Sequence, residues 1–288
     1  MDPQPAILDP EAPAAGRQLT FDLRVGGNVR DALRTLRDVA PSSAIVGIGP
    51  SLVRLLGSDV PGLRPFPSLA GAGVQTPATQ NALWVFLREA STSECFDRAR
   101  NIEAALGSDF VPDEEVGTFV YRGGHDLSGY EDGTENPHGD HAREVAIVPE
   151  GPLAGSSFVA VQRWLHDLPR FSTFAELDRD NTIGRRFTDN QELPDAPVSA
   201  HVRRSAQESY EPEAFMLRRS MPWSEGGKHG LYFIAFGRDL DRFERVLRRM
   251  VGLDDGVVDG LFAFTRPLTG GYYWCPPVDG GKLAIPGL

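Results

Sequence analysis

The feature that most narrows the fold of this chain is an order of apolar patterns that runs β-α-β-β-α-β and then loosely recurs. QLTFDLRV, from Gln18, alternates as a half-buried strand does, and NVRDALRTLRDVA then sets Val29, Ala32, Leu33, Leu36 and Val39 on one helical face. SSAIVGIG reads as a buried strand, SLVRLLG as a short helix, NALWVFLRE as a strand and ECFDRARNIEAAL as a second amphipathic helix. EVGTFVYRGG, from Glu115, closes the set as a split-βαβ unit. Later, GSSFVAVQRWL and GLYFIAFGR are again strand-like, and DLDRFERVLRRMVG aligns Leu240, Phe243, Leu247 and Met250 on a helix. No literal repeat is present, so an internal duplication rests on the order of elements alone. The expected architecture is α+β, two ferredoxin-like units in one chain.

That order divides the sequence into a flexible Pro/Ala-rich lead over 1–16, a first half over 17–150, a second over 151–277 and a tail over 278–288. With 288 residues, 41% of them hydrophobic and 24% charged, the chain can bury a substantial core. A formal charge of -11 argues against a nucleic-acid groove or an anionic membrane surface, both of which reward clustered Lys and Arg. Cys95 and Cys275 lie far apart without Cys-x-x-Cys spacing, which suits neither a disulfide scaffold nor a structural zinc site. No window has the length and apolarity of a membrane span, and MDPQPAILDPEAPAAG lacks a basic start followed by an apolar run. The expected location is the cytoplasm.

Two polar segments, Arg122 to Gly155 and Asp178 to Pro212, interrupt the periodic pattern, and long connections of this kind are more often functional than idle. The first contains GYEDGTENP, where Glu131, Asp132 and Glu135 stand among Gly129, Gly133 and Pro137. Gly, Asp and Asn form solvated turns for backbone reasons alone. A fixed acid beside a ligand is the sharper reading. None of the six histidines has tight metal spacing with another, which disfavours a zinc hydrolase. His125, His138 and His141 read as solvated, His166 and His229 as structural, and His201 differs only by following the small residues Ser199 and Ala200. In MLRRSMPW, Arg218 and Arg219 sit among apolar residues, where an unpaired guanidinium is costly to desolvate. An acid such as Asp132, or a cofactor propionate, would answer that cost; the competing reading lays the arginine stem over Trp223 at the surface.

GYEDGTENP resembles the Gly-x-x-Asp-Gly signature of the dye-decolourising (DyP-type) haem peroxidases, in particular their type B bacterial subgroup. FVAVQRWLHDL, IGRR, SAHVRRS, MLRRSMPW, GLYFIAF and LTGGYYWCPP look like that family's blocks in the same order, so the resemblance spans nearly the whole chain. It implies haem b between two ferredoxin-like units, with His201 as the proximal ligand to the iron. It also implies Asp132 as the distal acid, Arg218 as the distal arginine and Arg185 beside a haem propionate. Asp259 would support the proximal imidazole. Gly133 and Thr134 would flank the cofactor, and Ser220 would occupy a distal position that is Asn in some relatives.

The implied activity reduces hydrogen peroxide and oxidises dyes, phenols or similar one-electron donors. An acid within reach can move the peroxide proton from one oxygen to the other, and a guanidinium can hold the charge that develops. Arg218 should depress the pKa of Asp132 where the two are close, and activity should be best at mildly acidic pH. Trp164, Tyr210, Tyr232 and Trp274 are possible electron relays, although buried aromatics are more often packing. The tail DGGKLAIPGL bears a faint likeness to peptides that dock in an encapsulin shell, while packing on its own domain is the favoured reading. The resemblance further implies a homo-oligomer. The alternative functions are a non-catalytic haem-handling protein and a haem-free binding module.

Overall fold

The structure is a computed structural model that describes residues 1–288. Its first half contains β1 (Ala15–Leu23), α1 (Val29–Val39), β2 (Ile45–Ile48), β3 (Leu83–Glu89), α2 (Thr92–Leu106) and β4 (Phe110–Phe119). α3 (Gly139–Ala146) bridges to the second half. There β5 (Ser157–His166), α4 (Glu176–Ile183), α5 (His201–Ser205), β6 (Met221–Glu225), β7 (Lys228–Gly237), α6 (Asp241–Met250) and β8 (Gly271–Cys275) follow. All pairings among these strands are antiparallel, in the spatial order β2-β3-β1-β4 for one half and β8-β5-β7-β6 for the other. Each is the order of a split-βαβ unit. Trp274 pairs with Ile48 at one seam and Thr118 with Trp223 at the other, so the two sheets close into a barrel-like ring. The α+β duplication expected from the order of elements is therefore the fold.

Period-two alternation decides which side chains enter the ring. Trp84 and Phe86 of β3, Val159 and Val161 of β5, Tyr232, Ile234 and Phe236 of β7, and Tyr273 of β8 fill its interior. The residues between them, such as Leu83, Val85, Phe158, Ala160 and Tyr272, join the outer core under the helices. Within that outer core α1 buries Val29, Ala32, Leu33 and Leu36, and α6 buries Phe243, Val246, Leu247 and Met250. Val39, expected on the same face as Leu36, is the last residue of α1 and is exposed.

Trp223 has no exposed surface; its indole Nε1 donates to Trp164 O at 2.9 Å, and the Arg163 guanidinium lies 3.7 Å from its ring centre. Trp223→Ala is expected to cost about 3–5 kcal/mol of unfolding free energy, because transfer and cavity terms add at a fully buried indole. Chemical denaturation with and without haem checks this value.

The lead departs from the expectation of flexibility. Gln4 is buried and bridges the seam, donating to Val46 O at 2.9 Å and Pro276 O at 3.0 Å while accepting from Val46 N at 2.7 Å. Ala6 and Ile7 then cap the ring interior, and Arg88 donates to Ala6 O at 2.6 Å. These contacts are long-range, so no local pattern announces them. The tail also folds back: Leu283 and Ile285 enter the outer core, and Lys282 pairs with Asp38 at 2.6 Å.

Candidate active site

His201 is the first residue of α5, in the connection between α4 and β6. Its Nδ1 lies 2.8 Å from Asp259 Oδ2, and the other carboxylate oxygen of Asp259 accepts from Leu261 N at 2.8 Å. Asp259 is buried and held from both sides. With Nδ1–H donating to that carboxylate, Nε2 keeps its lone pair free to bind a metal. This is the pairing expected of positions 201 and 259.

Asp132 lies on the loop between β4 and α3, folded by glycines with positive φ at 129 (94°) and 133 (77°). A Cβ at Gly129 would also stand 2.9 Å from the Phe187 ring, so that position suits glycine for conformation and for space. Arg218 belongs to a two-residue strand, Leu217–Arg218, paired through Ala235 with β7. Asn136 joins these two pieces. Its Oδ1 accepts from Arg218 N at 2.8 Å and its Nδ2 donates to Arg218 O at 2.9 Å, as a neighbouring strand would. Asn136 lies within GYEDGTENP but went unremarked in the sequence, because nothing local shows its partner to be residue 218. Asn136→Ala should leave buried backbone groups unpaired and loosen the spacing of Asp132 and Arg218. The expected result is a loss of about 10–100-fold in the rate constant for reaction with peroxide, read by stopped flow.

Asp132, Arg218 and His201 line one cleft. Much of the remaining wall is apolar: Met216, Leu231, Phe233, Leu247, Met250 and Leu261. Asp132 is exposed to this cleft, with protein atoms packed densely around its carboxyl group. Burial raises its pKa, and the approach of Asp126 adds to the rise; Arg218, the Gly133 amide and His201 act in the opposite sense without overcoming it. Arg218 thus pulls in the expected direction, and desolvation, the larger effect, sets the net rise.

Asp126 and His166 also face the cleft. His166 Nε2 meets Asp126 Oδ2 at 3.0 Å and its Nδ1 meets Thr265 Oγ1 at 2.6 Å, which ties the start of the acidic loop to the end of β5. His166 is thus hydrogen-bonded at both ring nitrogens.

Arg185, buried at the cleft mouth, pairs with Glu135 at 2.8 Å and lies 3.6 Å from Glu192. Glu131 accepts from Asn190 Nδ2 at 2.8 Å, as does Thr134 Oγ1 at 2.9 Å. Glu131 and Glu135 both remain exposed to solvent, and each also reaches one partner across the mouth. Gly133 and Thr134 line that mouth with Arg185. Ser220 is set apart from the main cleft, on an adjoining chamber, where its Oγ accepts from Ile234 N at 3.3 Å. Among the relay candidates, Trp164 lines the cleft, Tyr210 stacks with Arg249, and Tyr232 and Trp274 are packed in the two cores.

Comparison with known proteins decides the family. A profile described as "Dyp-type peroxidase, C-terminal" matches residues 124–280. A dye-decolorizing peroxidase of Mycolicibacterium paratuberculosis is 34% identical over 97% of this chain and 84% of its own length. The chain belongs to the DyP-type peroxidases. A DypB variant of Rhodococcus jostii RHA1, solved in complex with heme, superposes with a TM-score of 0.83 at 30% identity, covering 93% of this chain and 94% of that one. The encapsulated DyP-type peroxidase of Mycobacterium smegmatis superposes with a TM-score of 0.88 at 30% identity, over 100% of this chain and 99% of that one. This chain is accordingly a haem peroxidase, and the type B assignment agrees with its likeness to DypB.

The residues of this peroxidase suit haem on their own terms. An imidazole with one nitrogen committed to a buried carboxylate offers the other as an axial donor. The apolar walls suit a flat macrocycle, and the buried Arg218 Nε has no protein partner.

Proposed function

We propose that His201 holds the iron of haem b through Nε2, that Asp259 orients and strengthens this donor, and that Asp132 and Arg218 activate hydrogen peroxide. The observation that carries the reading is the meeting of His201, Asp132 and Arg218 on one cleft although they stand far apart in the chain. When bound, haem supplies the redox-active iron that takes up the oxidising equivalents of peroxide. Asp132 accepts a proton from one peroxide oxygen and returns it to the other, which leaves as water. Arg218 holds the negative charge that builds as the O–O bond parts, and low local polarity strengthens that hold. Arg185, with Gly133 and Thr134, marks the propionate edge, where Glu135 shares the guanidinium. Ser220 contributes to the distal wall from the adjoining chamber. Dyes, phenols or similar one-electron donors restore the resting enzyme.

A neutral Asp132 cannot accept the first proton. Because its pKa is raised above 3.8, the rate constant for peroxide should fall as pH drops through that higher value, and protonation should be complete below it. Asp132→Asn should lower the rate and remove this acid limb, as measured by stopped flow on the haem-loaded enzyme across the acidic range. An unchanged limb in the variant excludes Asp132 as the acceptor. Mildly acidic conditions, just above this limb, are then the expected optimum with dye.

Cytoplasmic residence is supported by two buried, unpaired thiols, Cys95 and Cys275. No helix is long and apolar enough to cross a membrane. The packed tail favours attachment to its own domain over docking in an encapsulin shell, and self-association as a homo-oligomer is open to sedimentation measurements.

A further inference from the structure

A second chamber, of about 790 Å³, reaches Asp132 and Arg218 from beneath the lead and carries three guanidinium groups, those of Arg88, Arg218 and Arg219. Two of them have assigned work. Arg218 belongs to the peroxide site, and Arg88 is answered by Asp9 at 3.2 Å and by the carbonyls of Ala6 and Glu11. Arg219 has no such partner. Its one side-chain hydrogen bond runs from Nη1 to Arg218 O at 3.1 Å, its Nε is buried and unpaired, and no carboxylate pairs with it within 4.0 Å. Burial, followed by the repulsion of Arg88, pushes its pKa down to about 10 against the weaker pull of Asp9, which pairs with Arg88 and not with Arg219, so the guanidinium remains charged at neutral pH.

A charge in this setting favours an anion from solution. The donor set defines which kind. A guanidinium fork matches the paired oxygens of a carboxylate, bicarbonate or phosphate better than it matches a spherical halide. Ser220, on the same wall, accepts from Ile234 N and so keeps its hydroxyl proton to donate. Pro10, Ala12 and Pro13 of the lead form the chamber's outer side, and the lead is itself fastened through Arg88. We propose that this chamber is a binding site for a small inorganic oxyanion, gripped by Arg219 and Ser220 with Arg88 as a second cation. The chamber meets the apolar cleft at Asp132 and Arg218, which line both, whereas Arg88, Arg219 and Ser220 line the chamber alone; the proposal does not depend on the proton transfer assigned to Asp132.

The test is calorimetric titration of the haem-loaded enzyme with inorganic phosphate at neutral pH and constant ionic strength. Saturable binding is expected in the wild type. It should weaken about tenfold or more in Arg219→Gln, the loss expected for one charge-assisted fork, and weaken less in Arg219→Lys. Arg186→Gln, which alters an exposed arginine elsewhere, should bind as the wild type does. An unchanged haem spectrum in Arg219→Gln shows that the fold is intact. Equal affinity in wild type and Arg219→Gln, or no saturable binding in the wild type, overturns the proposal. Because the titration reads binding and not turnover, either failure leaves the role of Asp132 standing or falling on its own pH test.

Discussion

Substituting His201 by alanine is expected to remove the axial nitrogen donor and to lower turnover of peroxide with a dye by more than about 100-fold, above the usual cost of losing a mere supporting group. The geometry makes the expectation specific. Asp259 is fastened by Leu261 N at one oxygen and by His201 Nδ1 at the other, so the imidazole ring is set before any cofactor arrives. Cutting the ring back to a methyl group leaves that buried carboxylate without its partner and, on the proposed assignment, removes the donor to the iron. Asp259→Asn is the graded comparison: the amide oxygen can still accept from Nδ1–H, but without full negative charge, and the expected loss is about 10–100-fold. Absorption spectra of both variants after haem loading check the assignment. Unaltered Soret absorption and wild-type turnover in His201→Ala would remove the basis of the proximal site.

The second large effect belongs to Arg218. Arg218→Leu should slow the reaction with peroxide by about 10²–10³-fold, equivalent to about 2.7–4 kcal/mol, the usual consequence of deleting a preorganised charge at the centre of bond cleavage. A second consequence follows from its neighbour. Arg218 lowers the pKa of Asp132 against the stronger effect of burial, and its removal lets that pKa rise further. The acid limb should therefore move to higher pH in the variant, and the loss of rate should be greatest in acid. Stopped-flow rates on both sides of the limb distinguish this pattern from a uniform loss caused by disordered packing. A wild-type rate at all pH values would show that Arg218 takes no part in peroxide activation.

The parts of the site that were legible in the sequence are those carried by local chemistry. Gly129 and Gly133 signal a turn of unusual backbone conformation around an acid, and the order of blocks from FVAVQRWLHDL to LTGGYYWCPP marks His201 and Arg218 by resemblance. Asn136 was hidden because its hydrogen bonds span 82 positions. The pull of Arg218 on the Asp132 pKa was legible, because an arginine is visible in a sequence, whereas the larger and opposite effect of desolvation was not. Glu131 and Glu135 are solvated charges, as their turn suggests, but their partners Asn190 and Arg185 lie too far along the chain to be read locally.

The fold divides in the same way. Apolar periodicity in α1, α6, β3 and β5 settled the kind of each element and their order, since burial on one face or on two leaves a direct trace in residue spacing. The first part of β4 left no such trace: Asp113, Glu114 and Glu115 break the apolar pattern, and ladder bonds to β1 with ion pairs from Arg163 and Arg17 hold them in the strand. The sequence by itself determined two split-βαβ units and the residue types of a peroxidase site. Only the tertiary structure decided that the ring closes through Ile48–Trp274 and Thr118–Trp223, that Gln4 pins the lead, and that Arg219 forms no ion pair within 4.0 Å. The reason is physical: periodicity reports how deeply a residue is buried, whereas seams, ion pairs and desolvation depend on which distant residue arrives beside it.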